Sequence, residues 1–178
     1  MRNKALILPG FAGGFRRSEI VALNVEDLAF DKGGLTVMLR RSKTDHEWKG
    51  RTVAIVPGAA PLTRLVTAVK AWLRAAKIED SGNSALFYPV NRWGAVELSR
   101  LSDKAVDRIV KGACDAAGLK DKGYSAHSLR AGHVTEALTS GDDRSAVKRQ
   151  TGHASDAMLD RYAREADLLN NSSGNLGV

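Results

Sequence analysis

The chain has 178 residues, of which 43% are hydrophobic and 26% are charged, and this composition is typical of one folded globular domain. It contains no run of about 18 apolar residues, and Pro9 soon breaks the short apolar run after Met1, so we expect neither membrane insertion nor export. The single cysteine, Cys114, cannot form an internal disulfide. We therefore expect a reducing compartment and a cytoplasmic location.

The charge balance favours a nucleic-acid partner. The chain carries 27 Lys and Arg residues against 20 Asp and Glu residues, a formal net charge of +7, and a basic domain is a natural ligand of phosphate backbones. A lysine-rich solvated surface gives the same count. Particular residues must therefore decide the function.

Residues 5–23 are apolar and rich in glycine, and residues 16–23 have the pattern of a short helix. Pro9 is expected to interrupt any helix that begins before it. Alternating apolar residues then predict three short strands, at 28–30, 35–39 and 53–55. A polar connection over 41–50 joins the second and third strands, and it is long for a hairpin.

The apolar period changes after residue 61 from two to about 3.6, which predicts an amphipathic helix over 62–76. A second helix is expected between a Ser102 cap and Gly118, with Ala117 facing inward. Shorter helices are predicted at 127–138, 145–150 and 156–162. The predicted fold is α+β and mostly helical, with a small three-stranded antiparallel sheet in the N-terminal third.

Two short motifs place positive charge where one anion can bind. His127 and Arg130 are three residues apart, so both lie on one face of a helix and can converge on one anion. Arg16 follows a turn that Gly14 permits, and Glu19 is placed to brace its guanidinium. Each motif alone is weak, because surface arginines and packed histidines are common.

A third motif supplies a nucleophile. Thr151-Gly152-His153 is followed nine positions later by Tyr162, whose hydroxyl can attack an electrophile if a base takes its proton. Two arginines, two histidines, a lysine and a tyrosine together suit phosphodiester transfer without a metal ion. The arginines neutralise the phosphate oxygens, a lysine on a mobile loop protonates the leaving oxygen, and an imidazole takes or shares the tyrosine proton.

The ordered set of motifs resembles the tyrosine recombinase (phage integrase) family over about residues 5–169. The matching positions are Gly14-x-Arg16-x-Ser18-Glu19, Lys43, His127-x-x-Arg130, Gly152-His153 and Tyr162. The resemblance implies a helical catalytic domain with a small antiparallel sheet that cleaves DNA through a 3′-phosphotyrosine and leaves a free 5′-hydroxyl.

The resemblance also implies a role for each side chain. Arg16 and Arg130 would clamp the scissile phosphate, and Tyr162 would be the nucleophile. Lys43 would be the general acid, His127 would assist as acid or base, and His153 would hydrogen-bond a phosphate oxygen. Lys49 lies in the same loop as an alternative to Lys43, which we prefer because Ser42-Lys43-Thr44 directly follows the strand.

The implied organisation is a catalytic domain over residues 1–169 and a flexible tail over 170–178, with no room for the N-terminal DNA-binding domain that family members usually carry. We expect double-stranded DNA as the partner, no cofactor and no metal ion. The small apolar content after Tyr162, chiefly Ala166, Leu168 and Leu169, predicts a monomer without DNA, and the family's route predicts a homotetramer on DNA.

Two departures and two alternatives accompany the resemblance. Thr151 stands where the family commonly has leucine, and Pro9 falls in a stretch that is usually continuous helix. One alternative is a DNA-relaxing enzyme of the type IB topoisomerase kind, against which the spacing of Gly152-His153 and Tyr162 argues. The other is a DNA-binding relative that has lost activity, against which the complete set of six side chains argues. His133 and the three tryptophans are expected mainly to pack.

Overall fold

The structure, a computed structural model, describes residues 1–32, 34–40, 50–56, 65–78 and 84–162, with Asp121 described in its backbone only. Lys43, Trp48, Lys49 and all of residues 163–178, which include Ala166, Leu168, Leu169 and the predicted tail, lie outside these ranges. None of the helices within them has both the length and the apolar character needed to cross a membrane.

The architecture is the α+β fold that the sequence predicts, mostly helical with a small three-stranded sheet. The strands form an antiparallel sheet in the order β1-β2-β3. The elements in chain order are α1 (Arg2–Ala12), α2 (Arg17–Ala22), β1 (Leu28–Asp31), β2 (Gly34–Leu39), β3 (Arg51–Ile55), α3 (Leu65–Ala76), α4 (Asp103–Ala116), α5 (Ala126–Thr139), α6 (Arg144–Thr151) and α7, whose described part covers residues 156–162.

The register of the sheet explains its alternating sequence. Leu35 pairs with Ile55 and Val37 pairs with Val53 across β2 and β3, so these four side chains share one face. All four are buried. The hydrophobic pattern therefore fixes which face of the sheet meets the helices.

Pro9 lies inside α1, so the prediction that it would interrupt this helix is wrong. Its ring removes the N–H that would bond to the carbonyl of Ala5, but the Pro9 carbonyl still accepts from Gly13 N at 2.9 Å. Ala5, Leu6 and Pro9 are all buried, and α1 packs against α3 and α5. Burial of this apolar face offsets the single lost hydrogen bond.

The helix boundaries largely follow the predicted caps. Ser102 Oγ accepts from Ala105 N at 3.3 Å at the start of α4, and Gly118, Gly141 and Gly152 each have a positive φ just beyond the end of a helix. Ala117 is exposed rather than turned inward, because α4 has already ended at Ala116.

The tryptophans divide between the core and the surface. Trp72 is buried, as expected, and its indole N–H donates to the Leu86 carbonyl at 2.8 Å. Trp93 is 75% exposed, so the expectation of burial fails for it. The Arg92 guanidinium stacks over its ring at 4.1 Å from the centroid.

A small second core holds the C-terminal helices together. Val134 and Ala137 of α5, Val147 of α6 and Leu159 of α7 are buried against one another, and the Tyr162 ring packs against this cluster. This cluster therefore packs α6 and α7 against α5, the helix that carries His127 and Arg130.

Candidate active site

Arg130 forms the buried base of the candidate site. Its side chain is 2% exposed, and its Nη1 donates to the carbonyls of Gly14 at 2.9 Å and Thr151 at 2.5 Å. Its Nη2 is also buried and has no hydrogen-bond partner among the described residues. A buried donor without an acceptor is costly, so this atom marks a position that suits an anionic oxygen.

Arg16 and His127 line the same cleft as Arg130. The cleft has a volume of about 450 Å³. Its walls come from the turn before α2, the start of α2, the first turns of α5, and Asp103 and Asp107 of α4. The structure thus brings the two motifs to one place. Arg17, the next residue along the chain, also lines the cleft, and its guanidinium pairs with Asp103 at 3.3 Å.

Glu19 braces Arg16, as the sequence analysis expected. The Arg16 Nη1 donates to Glu19 Oε1 at 2.8 Å, and the Arg16 backbone N–H donates to Glu19 Oε2 at 2.8 Å. The carboxylate therefore closes the first turn of α2 and holds the guanidinium of the residue that precedes this helix.

Arg51, at the start of β3, is a site residue that sequence reasoning missed. Its Nη1 and Nη2 donate to Glu19 Oε1 and Oε2 at 3.2 and 3.1 Å. Its Nε donates to the Gln150 carbonyl at 3.1 Å. A lone arginine at a strand end carries no signal in the sequence, because the carboxylate that it binds is 32 residues away.

The three arginines converge on the C-terminal end of α6. Each of three consecutive carbonyls there accepts from a different guanidinium: Gln150 from Arg51, Thr151 from Arg130 and Gly152 from Arg16. The last carbonyls of a helix lack intrahelical donors and form the negative end of its dipole. The helix end therefore holds three like charges in fixed positions before any ligand arrives.

The electrostatics of the cluster follow from burial and from these pairings. Burial alone would raise the pKa of the Glu19 carboxyl, but the charge of Arg51 and the charge and hydrogen bonds of Arg16 outweigh it and hold the pKa below its ordinary value. Burial, followed by the charge of Arg16, lowers the pKa of Arg130 to about 10. Arg130 thus stays a cation at neutral pH.

Tyr162 of α7 and His127 of α5 are in contact. The hydroxyl oxygen of Tyr162 lies 3.1 Å from Nε2 of His127. The tyrosine is half-buried and the histidine is exposed. The predicted nucleophile therefore has a predicted proton acceptor within hydrogen-bond distance.

His153 follows the left-handed residue Gly152 and is buried. Its Nδ1 lies 2.7 Å from the hydroxyl oxygen of Thr151, and its ring centroid is 6.1 Å from that of Tyr162. Burial and the charges of Arg130, Arg16, Arg51 and His127 lower the pKa of His153 to about 4. The ring is therefore neutral at pH 7.

The structure brings together five of the six predicted site residues, and the sixth, Lys43, lies outside the described ranges. His133 packs as expected, edge-on against Phe11 at 6.4 Å between ring centroids. Gly14 has φ +61°, and a Cβ there would meet His133 at 2.7 Å, so this turn requires glycine. Within the described part of the chain, no group of three or more His, Cys, Asp or Glu side chains is placed to hold a metal ion.

Comparison with known proteins identifies the family of this chain. The profile of the phage integrase family matches residues 1–168, and the chain belongs to that family. An integrase/recombinase xerD homolog from Selenomonas ruminantium is 37% identical over 98% of this chain and 50% of its own length. A tyrosine recombinase XerA from Pyrococcus furiosus is 32% identical over 92% of this chain and 50% of its own length.

The fold is also that of a solved recombinase. The crystal structure of the site-specific recombinase XerH bound to its palindromic difH substrate, a post-cleavage complex, superimposes with a TM-score of 0.75 at 23% identity, over 99% of this chain and 46% of that one. The chain spans about half the length of the relatives that it matches.

Proposed function

We propose that this chain is the catalytic part of a site-specific DNA recombinase, which breaks and rejoins strands through a 3′-phosphotyrosine intermediate. Residues 1–169 would form the catalytic domain and residues 170–178 its tail. One observation carries the proposal: the Tyr162 hydroxyl contacts His127, and His127 lines the same cleft as Arg16 and Arg130.

The arginines would bind the scissile phosphate. Arg130 lines the cleft, and its buried Nη2 has no hydrogen-bond partner among the described residues. Arg16 lines the same cleft from the turn before α2. Because both guanidinium groups are already anchored to backbone carbonyls, little reorganisation is needed when charge builds up on the phosphate in the transition state.

Tyr162 would then attack the phosphorus. The new bond joins the tyrosine oxygen to phosphorus while the bond from phosphorus to the 5′ oxygen breaks. His127 Nε2 takes the tyrosine proton, and Lys43 donates a proton to the leaving 5′ oxygen. His153 would hydrogen-bond a non-bridging phosphate oxygen.

The phosphotyrosine keeps the energy of the broken phosphodiester bond. A 5′-hydroxyl of the same or another strand can attack it, which releases the tyrosine and forms a new phosphodiester bond without ATP. We propose double-stranded DNA as the partner, a homotetramer on DNA and a monomer without it. The net charge of +7 and the names of the relatives support the DNA partner, and the single cysteine favours a cytoplasmic location.

Covalent capture on DNA tests this proposal. The chain is incubated with a pool of duplexes that carry a nick at one fixed position within randomised sequence. Where cleavage falls a few nucleotides before the nick, the short fragment between them diffuses away and the covalent intermediate is trapped. We expect a band on a denaturing gel that carries the 5′-labelled part of the cleaved strand, and no such band from the Tyr162→Phe variant.

Three results would contradict the proposal. DNA binding without any covalent band would assign the chain to inactive DNA-binding relatives. A band that retains the 3′ side of the break would reverse the polarity of the intermediate. Relaxation of supercoiled plasmid without any strand exchange between duplexes would favour the topoisomerase alternative.

A further inference from the structure

The hydroxyl of Thr151 makes two short contacts, and its Oγ1 also lies 3.5 Å from the Lys148 carbonyl oxygen, which like any carbonyl can only accept. Its Oγ1 lies 2.6 Å from the Val147 carbonyl oxygen and 2.7 Å from His153 Nδ1. A hydroxyl has one hydrogen to donate. If the hydroxyl donates its hydrogen to one of these two groups, its oxygen must accept a hydrogen bond from the other.

The hydrogen belongs to the bond with Val147. A carbonyl oxygen can only accept, and two oxygens 2.6 Å apart with no hydrogen between them repel each other. A threonine in a helix commonly donates to the carbonyl four residues earlier. Thr151 Oγ1 is thus an acceptor toward His153, so the hydrogen of the second bond sits on Nδ1.

A neutral imidazole carries only one N–H, so Nε2 of His153 holds a lone pair. Within the described ranges, the charged or titratable groups around the ring are Arg130 and His127 from α5, Arg16 from the turn before α2, Arg51 from β3 and Tyr162 from α7. The four nitrogen-bearing side chains disfavour a second proton on the ring.

We propose that Thr151 is a positioning residue that fixes His153 as the Nδ1–H tautomer and leaves Nε2 as a proton acceptor. The consequence for His153 rests on the proposed function. In the free protein Nε2 is a hydrogen-bond acceptor, and it donates to a phosphate oxygen only after it has gained a proton. The negative charge of a bound phosphate favours that uptake. Phosphate binding and protonation of His153 are thereby coupled.

The tautomer can be measured without DNA. Nitrogen-15 NMR of the full chain at neutral pH separates protonated from unprotonated ring nitrogens, and the His153→Gln variant identifies the His153 signals by their loss. We expect a protonated Nδ1 and an unprotonated Nε2. In Thr151→Val, which keeps the shape but removes the acceptor, we expect the Nδ1 signal to shift toward the unprotonated range as the Nε2–H tautomer appears.

Two further variants separate the tautomer from general damage. Thr151→Ser keeps the hydroxyl and should keep the Nδ1–H tautomer, which makes it the conservative rescue. Thr139→Val makes the same chemical change at an exposed position at the end of α5 and should leave the His153 signals in place. Thermal melting of each variant reports whether it is folded.

An unprotonated Nδ1 in the wild-type chain would overturn the proposal, and so would a folded Thr151→Val variant with the wild-type signals. The wild-type spectrum alone decides the first point, even if Thr151→Val does not fold. Because no DNA is present, a chain that shows this tautomer but forms no covalent adduct would contradict the proposed function and leave the role of Thr151 intact.

Discussion

The hydroxyl oxygen of Tyr162 lies 3.1 Å from Nε2 of His127, although 35 residues separate the two in the chain. The contact depends on the second core cluster, in which Leu159 is fully buried. Leu159 precedes Tyr162 by three residues on α7, so both point to the same side of the helix. The packing of one leucine thereby sets the position of the candidate nucleophile.

Leu159→Ala tests this dependence. We expect a loss of about 2–5 kcal/mol in the free energy of unfolding, typical of a buried leucine truncation, and a lower yield of covalent adduct because α7 loses its anchor. Chemical denaturation and the covalent-capture assay measure the two effects. Met158→Ala removes a half-exposed neighbour and should change neither by a comparable amount. Equal losses in both variants would show that α7 is not held through Leu159.

Arg51→Met tests whether the third arginine supports the phosphate clamp. The change leaves Glu19 buried with one partner fewer and removes the donor to the Gln150 carbonyl. Removing one partner of a buried ion pair costs about 3 kcal/mol or more. We expect a loss of that order in the free energy of unfolding, together with a lower yield of covalent adduct. Arg144→Met breaks the exposed pair with Asp160 and should cost less than about 1 kcal/mol. If Arg51→Met changed neither the free energy of unfolding nor the adduct yield, Arg16 and Glu19 would hold the site without Arg51.

Glu19→Gln should show a defined pH dependence. The pKa of Glu19 is lower in the folded chain than its ordinary value of 4.5, so its ionised form stabilises the fold at all pH values above 4.5. That stabilisation is lost as the pH falls through the lowered folded value. We expect the difference in free energy of unfolding between wild type and Glu19→Gln to be constant near neutral pH and to shrink below pH 4.5. A difference that grows in acid would contradict the assigned direction.

Excess EDTA should leave covalent capture unchanged. Arg16 and Arg130 are placed to supply the positive charge that a metal ion supplies in other phosphodiester reactions. The measurement is the yield of the covalent band with and without chelator. Abolition by EDTA with recovery on addition of Mg²⁺ would point instead to a two-metal mechanism.

Much of the fold could be predicted because it depends on local patterns. Alternation at Leu35 and Val37 predicts β2, and Ser102 and Gly118 mark the limits of α4. The prediction for Pro9 was wrong because a local rule about a missing N–H does not include the burial of the surrounding face. In α1, burial of the apolar face offsets the hydrogen bond that Pro9 cannot donate.

The candidate site could be predicted only where a short sequence motif indicates it. The spacing of His127 and Arg130 placed them together, and Glu19 was expected beside Arg16. Arg51 was missed because its role arises from contacts with Glu19 and with the end of α6, both distant in sequence. The hydrogen bond between Thr151 and His153 was likewise invisible, since it depends on the turn at Gly152.

Identification of the modified residue tests the central claim most directly. The covalent protein–DNA adduct is digested with nuclease and protease, and mass spectrometry locates the remaining nucleotide. We predict a 3′-linked nucleotide on the oxygen of Tyr162, and no modified peptide from Tyr162→Phe at the same protein and DNA concentrations. A nucleotide on any other residue, or an adduct that persists in Tyr162→Phe at the wild-type yield, would contradict the assignment of Tyr162 as the nucleophile.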